Sequence, residues 1–105
     1  MEENEFIVLA EAVLARIERA LDACTADIDY ELQAGGVLEL AFGDGSKIII
    51  NRHAAAREIW VAARSGGFHF RHDGGRWIGT RDDVELFQAL GRLASEQAGE
   101  AVVLA

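Results

Sequence analysis

Val37-Leu38-Glu39-Leu40-Ala41-Phe42-Gly43-Asp44-Gly45-Ser46-Lys47-Ile48-Ile49-Ile50-Asn51 is the stretch from which the fold can be read. Leu38, Leu40 and Phe42 alternate with other residues, so they share one face of a strand. Gly43-Asp44-Gly45 is a hairpin signal. Lys47 to Asn51 is β-branched and strand-like. The glycine, serine and lysine of residues 43–47 do not form a phosphate loop, because the spacing is wrong and no helix follows.

The same punctuation extends in both directions. Upstream, Asp27-Ile28-Asp29-Tyr30-Glu31-Leu32 alternates acids with apolar groups, and Gly35-Gly36 turns the chain. Downstream, residues 52–57 connect to a strand over 58–63. Ser65-Gly66-Gly67 turns into residues 68–72, and Asp73-Gly74-Gly75 leads to a short strand at 76–78. Helices flank this run. Over residues 3–24, Phe6, Leu9, Ala10, Val13, Leu14, Ile17, Ala20 and Leu21 recur at helical spacing. Glu11, Glu18 and Asp22 fall on the opposite side, and Cys24 extends the apolar stripe as a core thiol. A second helix follows Thr80, which with Asp83 resembles a capping box. Its buried stripe is Val84, Phe87, Leu90, Leu93 and Ala94, and Gly99 is its C-cap. The apolar tail at 101–104 is expected to pack back onto the domain.

The order helix, about six antiparallel strands, helix defines an α+β two-layer sandwich in a single domain, residues 1–105. Each helix has one apolar face, so both cover the same side of the sheet. The other side meets water. Glu58 marks that wet face, and Trp60 and Ala62 share its parity. Lys47, Asn51, His69, Arg71, Asp27, Asp29 and Glu31 fall on polar faces by the same rule.

Charge is unevenly placed. The formal net charge is −8, and residues 1–31 contribute nine acids against two arginines. The remaining chain holds nine acids and eight bases. A negative field repels nucleic acid and anionic lipid and attracts cations or a basic protein surface. The lone cysteine excludes an internal disulfide and a zinc site built on paired cysteines, and suits a reducing compartment. The start is acidic where a signal peptide is basic, and no apolar run approaches the roughly 20 residues of a membrane span. The expected location is the cytoplasm.

Three features are candidates for chemistry. Glu11, Glu18 and Asp22 on the helix and Asp27, Asp29 and Glu31 on the strand form one surface if the two elements are edge neighbours. Carboxylate oxygens suit iron, manganese, magnesium or calcium. The same surface suits a Lys/Arg-rich partner, and a plain solvated face is the third reading. Trp60 is an interface candidate. His53, His69 and His72 are scattered and read as structural. Nothing resembles a nucleophile elbow, a Ser/His/Asp set or a dinucleotide fingerprint.

Taken together, these residues resemble the bacterial frataxin family over essentially the whole chain. The resemblance is carried by Glu5-Phe6, Asp27-Ile28-Asp29, Gly36-Val37-Leu38 and Gly45-Ser46-Lys47-Ile48-Ile49-Ile50-Asn51-Arg52. It continues through Ile59-Trp60-Val61-Ala62, Gly66-Gly67-Phe68-His69-Phe70, Trp77-Ile78 and Gln97-Ala98-Gly99-Glu100. It implies a helix–sheet–helix sandwich and a non-enzymatic role in iron–sulfur cluster assembly, either regulating it or delivering iron. It further implies weak, exchangeable iron binding at Glu11, Glu18, Asp22, Asp27, Asp29 and Glu31, with Glu3 as a further member. The implied partners are the cysteine desulfurase, met through Glu18 and Asp22, and the cluster scaffold, with Asn51 and Trp60 as the sheet-face partner site. The chain is expected to be a monomer without iron. It departs from the family at Arg19, Ala20, Ala23 and Ala26, which interrupt an acidic run. Further departures are His53 and Glu58, where glutamine is common, and Ala54-Ala55-Ala56, which lacks a common proline. Two alternatives stay open: an acidic protein-binding module without a metal role, and a ferroxidase.

Overall fold

The computed structural model describes residues 1–105. Helix α1 (Glu3–Ala23) is followed by strands β1 (Ile28–Gln33), β2 (Val37–Phe42), β3 (Lys47–His53), β4 (Glu58–Ala63), β5 (Gly66–Asp73) and β6 (Arg76–Gly79), then by helix α2 (Leu86–Ala98). The six strands form one antiparallel sheet in the order of the sequence. The α+β two-layer sandwich is as the alternation predicts.

The core lies between the helices and one sheet face. Leu38, Leu40, Ile48, Ile50, Ile59, Val61 and Phe70 come from alternate positions of β2 to β5 and are buried. Phe6, Ala10, Val13, Leu14, Ile17 and Leu21 meet them from α1, and Leu86, Phe87, Leu90, Leu93 and Ala94 from α2. At about 1.5–3 kcal/mol for each large side chain, this burial is the main favourable term in folding. Removing one such leucine to alanine costs about 2–5 kcal/mol. The helices also touch each other: the Arg16 guanidinium lies 4.0 Å over the Phe87 ring.

Gln97 fastens α2 to the sheet. It is the one buried polar side chain. Its amide donates to Ser46 Oγ at 2.9 Å and to the Lys47 carbonyl at 3.2 Å, and its oxygen accepts the Arg64 N–H at 3.0 Å. Both the β2–β3 and β4–β5 turns are thereby held against the end of α2. The tail does pack back: Val102 and Leu104 are buried, and the Val102 N–H donates to Ser95 Oγ at 2.8 Å.

Three local expectations change. The Thr80/Asp83 capping box does not form. Asp83 adopts a left-handed φ of 59° in a tight turn, and α2 starts at Leu86. Glu85 caps it instead, its carboxylate accepting the Phe87 and Gln88 N–H groups at 2.9 and 3.1 Å. Val84 therefore precedes the helix, although it still packs against the core. Cys24 is not within the helix stripe: it sits at the C-terminal cap, half-buried, with Sγ accepting the Ala26 N–H. β3 and β5 each run further than the apolar patterning suggests, since Arg52, His53, Gly66, Gly67 and Asp73 all pair.

The β2–β3 turn holds an acid strengthened by its hydrogen bonds, Asp44. Asp44 accepts from the Ser46 hydroxyl at 2.6 Å and the Ser46 N–H at 2.8 Å, and Arg64 lies 2.9 Å away. These bonds, the Ser46 hydroxyl first, lower its pKa to about 2. A carboxyl lowered on folding stabilises above the ordinary carboxylate range, near 4, and loses that contribution as the pH falls through its folded value. In urea unfolding between pH 5 and pH 2, the stability gap between wild type and Asp44→Ala narrows as the pH drops below about 4. A constant gap would contradict this account.

Candidate functional site

Two regions gather the candidate residues: an acidic edge where α1 meets β1, and the open face of β3 to β5.

The acidic edge is built in two layers. Glu11, Glu18 and Asp22 project from α1. Asp29 and Glu31 project from β1 with the parity of the open face, and Asp27 just precedes that strand. Glu3 stands apart, in the first turn of α1. Most of these carboxylates are exposed, while Glu18 is half-buried. No group of three or more His, Cys, Asp or Glu side chains is arranged to hold a metal ion. The carboxylates therefore line a surface and do not converge on a point.

Several of them already have partners within the chain. Arg52 reaches from β3 to Glu11 at 2.8 Å. Its stem crosses Gly36, where a Cβ would lie 2.5 Å from Arg52 Cδ, so only glycine leaves the arginine this path. Asp22 lies in the last turn of α1, where the helix dipole disfavours an anion. The Tyr30 hydroxyl compensates by donating to Asp22 Oδ1 at 2.6 Å. That bond, followed by burial and the nearby charges of Asp22 and Glu18, pushes the Tyr30 phenol upward. Glu31 stands directly opposite Glu39, a like-charge pair. The Gln33 amide donates to both, at 3.2 and 3.4 Å, and Lys47 lies 3.0 Å from Glu39. Sequence reasoning overlooked Glu39, because its strand alternates like any half-buried one. Its place beside Glu31 follows only from the hairpin register.

Between Glu11 and Glu18 a groove of about 300 Å³ opens over Leu14, Leu32, Gly36 and Arg52. Leu32 has core-side parity but lies beyond the cover of α1, so it is 51% exposed.

The second region is a cross-strand row. Asn51, Trp60 and His69 stand directly opposite one another on β3, β4 and β5. Trp60 is half-buried, since histidine rings cover both its faces. His53 stacks on one at 3.7 Å between centroids and His69 on the other at 4.2 Å. The indole N–H donates to Glu58 Oε1 at 2.8 Å. Asn51 Oδ1 is buried and accepts no hydrogen bond, a state that costs about 1–3 kcal/mol. Reading the histidines singly missed this stack. The third, His72, points to the other face and meets Trp77 edge-on at 5.1 Å.

A two-helix layer on a six-stranded antiparallel meander, with an acid-lined helix–strand edge and a bare polar sheet face, defines a frataxin-like domain. The comparisons agree. A family model described as "Frataxin-like domain" matches residues 1–100. The chain is 64% identical over 104 residues to the iron–sulfur cluster assembly protein CyaY of Dechloromonas aromatica, covering 99% of each chain. It is 50% identical over 105 residues to the protein of the same name from Paraburkholderia phymatum, covering 100% of this chain and 99% of that one. The solved structure of a frataxin from Psychromonas ingrahamii superposes with a TM-score of 0.92 at 33% identity, covering 100% of this chain and 99% of that one. The chain belongs to the frataxin (CyaY) family. No helix is long and apolar enough to cross a membrane.

Tyr30 is the only tyrosine, so its titration is read directly from tyrosinate absorbance. The phenol ionises above its ordinary value, and Asp22→Asn lowers its midpoint. The sign for stability follows: a raised phenol stabilises fully below the ordinary value and loses this contribution as the pH rises through the folded one. An Asp22→Asn midpoint equal to that of wild type would remove Asp22 as the cause.

Proposed function

We propose that this protein is a non-enzymatic regulator of iron–sulfur cluster assembly that docks through its acidic edge on a cysteine desulfurase. The observation that carries the reading is the segregation of charge. Residues 1–31 hold almost the whole net charge, and α1 and β1 set those carboxylates along one exposed edge. Such a surface steers and orients a basic partner. The names of the 64% and 50% identical relatives supply the pathway.

Iron is cargo in this reading, held weakly by Glu3, Glu11, Glu18, Asp22, Asp27, Asp29 and Glu31. The open spacing supports exchange, because a tight site for a hard cation needs about six converging oxygens. Arg52 on Glu11 and Tyr30 on Asp22 compete with a cation for those two carboxylates. Glu18 and Asp29 are freer, and Glu31 is held only by the neutral Gln33 amide. The same openness disfavours a ferroxidase, whose carboxylates must hold iron in a defined geometry. The open face, with Asn51 and Trp60, is the contact for the cluster scaffold. An orphaned acceptor beside a half-covered tryptophan is the kind of surface a partner completes. The protein works in the cytoplasm and is a monomer without iron.

The deciding experiment is binding to the cysteine desulfurase at low salt, wild type against Glu18→Lys/Asp22→Lys. Tyr30→Phe serves as a control that breaks the Asp22 bond without changing charge. The charge reversal weakens binding at least tenfold with the circular dichroism spectrum retained, Tyr30→Phe binds nearly as wild type, and added salt weakens all three. Equal binding by the reversed variant would overturn the docking role. An acidic module without a metal role would instead retain docking while Fe²⁺ leaves the NMR signals of Glu18, Asp29 and Glu31 unmoved.

A further inference from the structure

We propose that His53, Trp60 and His69 form a proton-operated clamp on the open sheet face, in which acidification releases one end and tightens the other. The proposal concerns the protein alone and does not rest on its partners.

The two histidines flank the same indole but are wired differently. His53 Nδ1 accepts the Ala56 N–H at 3.3 Å. A ring nitrogen that accepts carries no proton, so neutral His53 holds its proton on Nε2. Protonation puts a second N–H on Nδ1, aimed at the Ala56 N–H, and that hydrogen bond cannot persist. The bond spans the β3–β4 turn, in which Arg57 sits at a left-handed φ of 56°. Charging His53 therefore removes one bond of this turn and loosens the Ala56 N–H, while the Arg57 N–H still donates to the Ala54 carbonyl at 3.2 Å.

His69 has the opposite arrangement. Its Nδ1 lies 3.6 Å from Glu58 Oε1, the oxygen that also receives the Trp60 indole N–H. A proton on Nδ1 faces a carboxylate and forms a charge-assisted contact. Either imidazolium, stacked nearly parallel on the indole at 3.7 Å (His53) or 4.2 Å (His69), adds a cation–π attraction, so the two ends differ in the Ala56 bond and the Glu58 contact. Charging His69 draws Glu58, Trp60 and His69 together.

The surroundings contain both signs of charge. Glu58 on β4 faces both rings. Arg71 on β5 stands opposite Glu58 in the register. Arg57, in the turn, donates its guanidinium N–H groups to the Met1 and Ala54 carbonyls. On the far side of His69, Arg81 and Asp82 from the loop after β6 and Arg92 from α2 line a shared cavity of about 230 Å³. Arg52 is turned away to Glu11 on the other face. Imidazole is the side chain whose unperturbed charge change falls within roughly pH 5–8, which sets the range of the test.

The test is amide and indole exchange followed by NMR from pH 8 to pH 5, expressed as protection relative to an unstructured chain. In wild type, Ala56 protection falls about fivefold as His53 charges, the equivalent of one net hydrogen bond. Trp60 indole protection rises. His53→Gln keeps an acceptor that does not titrate and makes Ala56 pH-independent, leaving the Trp60 response. Glu58→Gln removes the Trp60 response and leaves that of Ala56. The proposal is overturned if Ala56 is insensitive to pH in wild type, if it responds equally in His53→Gln, or if Trp60 protection fails to rise on acidification.

Discussion

Ile48, Ile50, Ile59, Val61 and Phe70 press against α1 and α2, and that contact determines what the rest of the molecule can be. A sheet buried on one side has no second core to build. Its other side is left with what water tolerates, together with what a partner can cover. The polar row of Asn51, Trp60 and His69 exists because its strand neighbours are committed to the helices. The same constraint places the acids. α1 has one face in the core, so Glu11 and Asp22 have only the outer face to occupy, next to the edge strand that carries Asp29 and Glu31.

The fold was legible to the extent that it is local. Alternation identified which residues of β2, β3 and β4 are buried, and glycines marked the β1–β2, β2–β3 and β5–β6 turns, while the pair Gly66-Gly67 lies within β5. The start of α2 was not legible, because Thr80-Arg81-Asp82-Asp83 satisfies a capping pattern in sequence while the chain bends away at Asp83. The cap falls to Glu85, a residue type less common in that role.

The site was legible in composition and not in wiring. The acids of residues 1–31 announce an acidic edge, and the family resemblance assigns them a role. What the sequence does not display is that Arg52 spends its charge on Glu11 from 41 residues away, or that Tyr30 shields Asp22 at the end of the helix. The His53–Trp60–His69 stack depends on strand register, and each histidine looks ordinary until the register is known.

The meander bears on how the chain assembles. Every strand pairs with its neighbour in sequence, so each pairing closes only a short loop, and the entropy of closure grows with loop length. The distant closures fall to the helices: Glu11 meets Arg52, and Gln97 reaches back 51 residues to Ser46. Topologies rich in near-sequence contacts fold faster than those built from remote ones. Here the contacts that close the long loops are those of the two helices on the sheet, and Gln97 fastens the end of one of them to two turns at once.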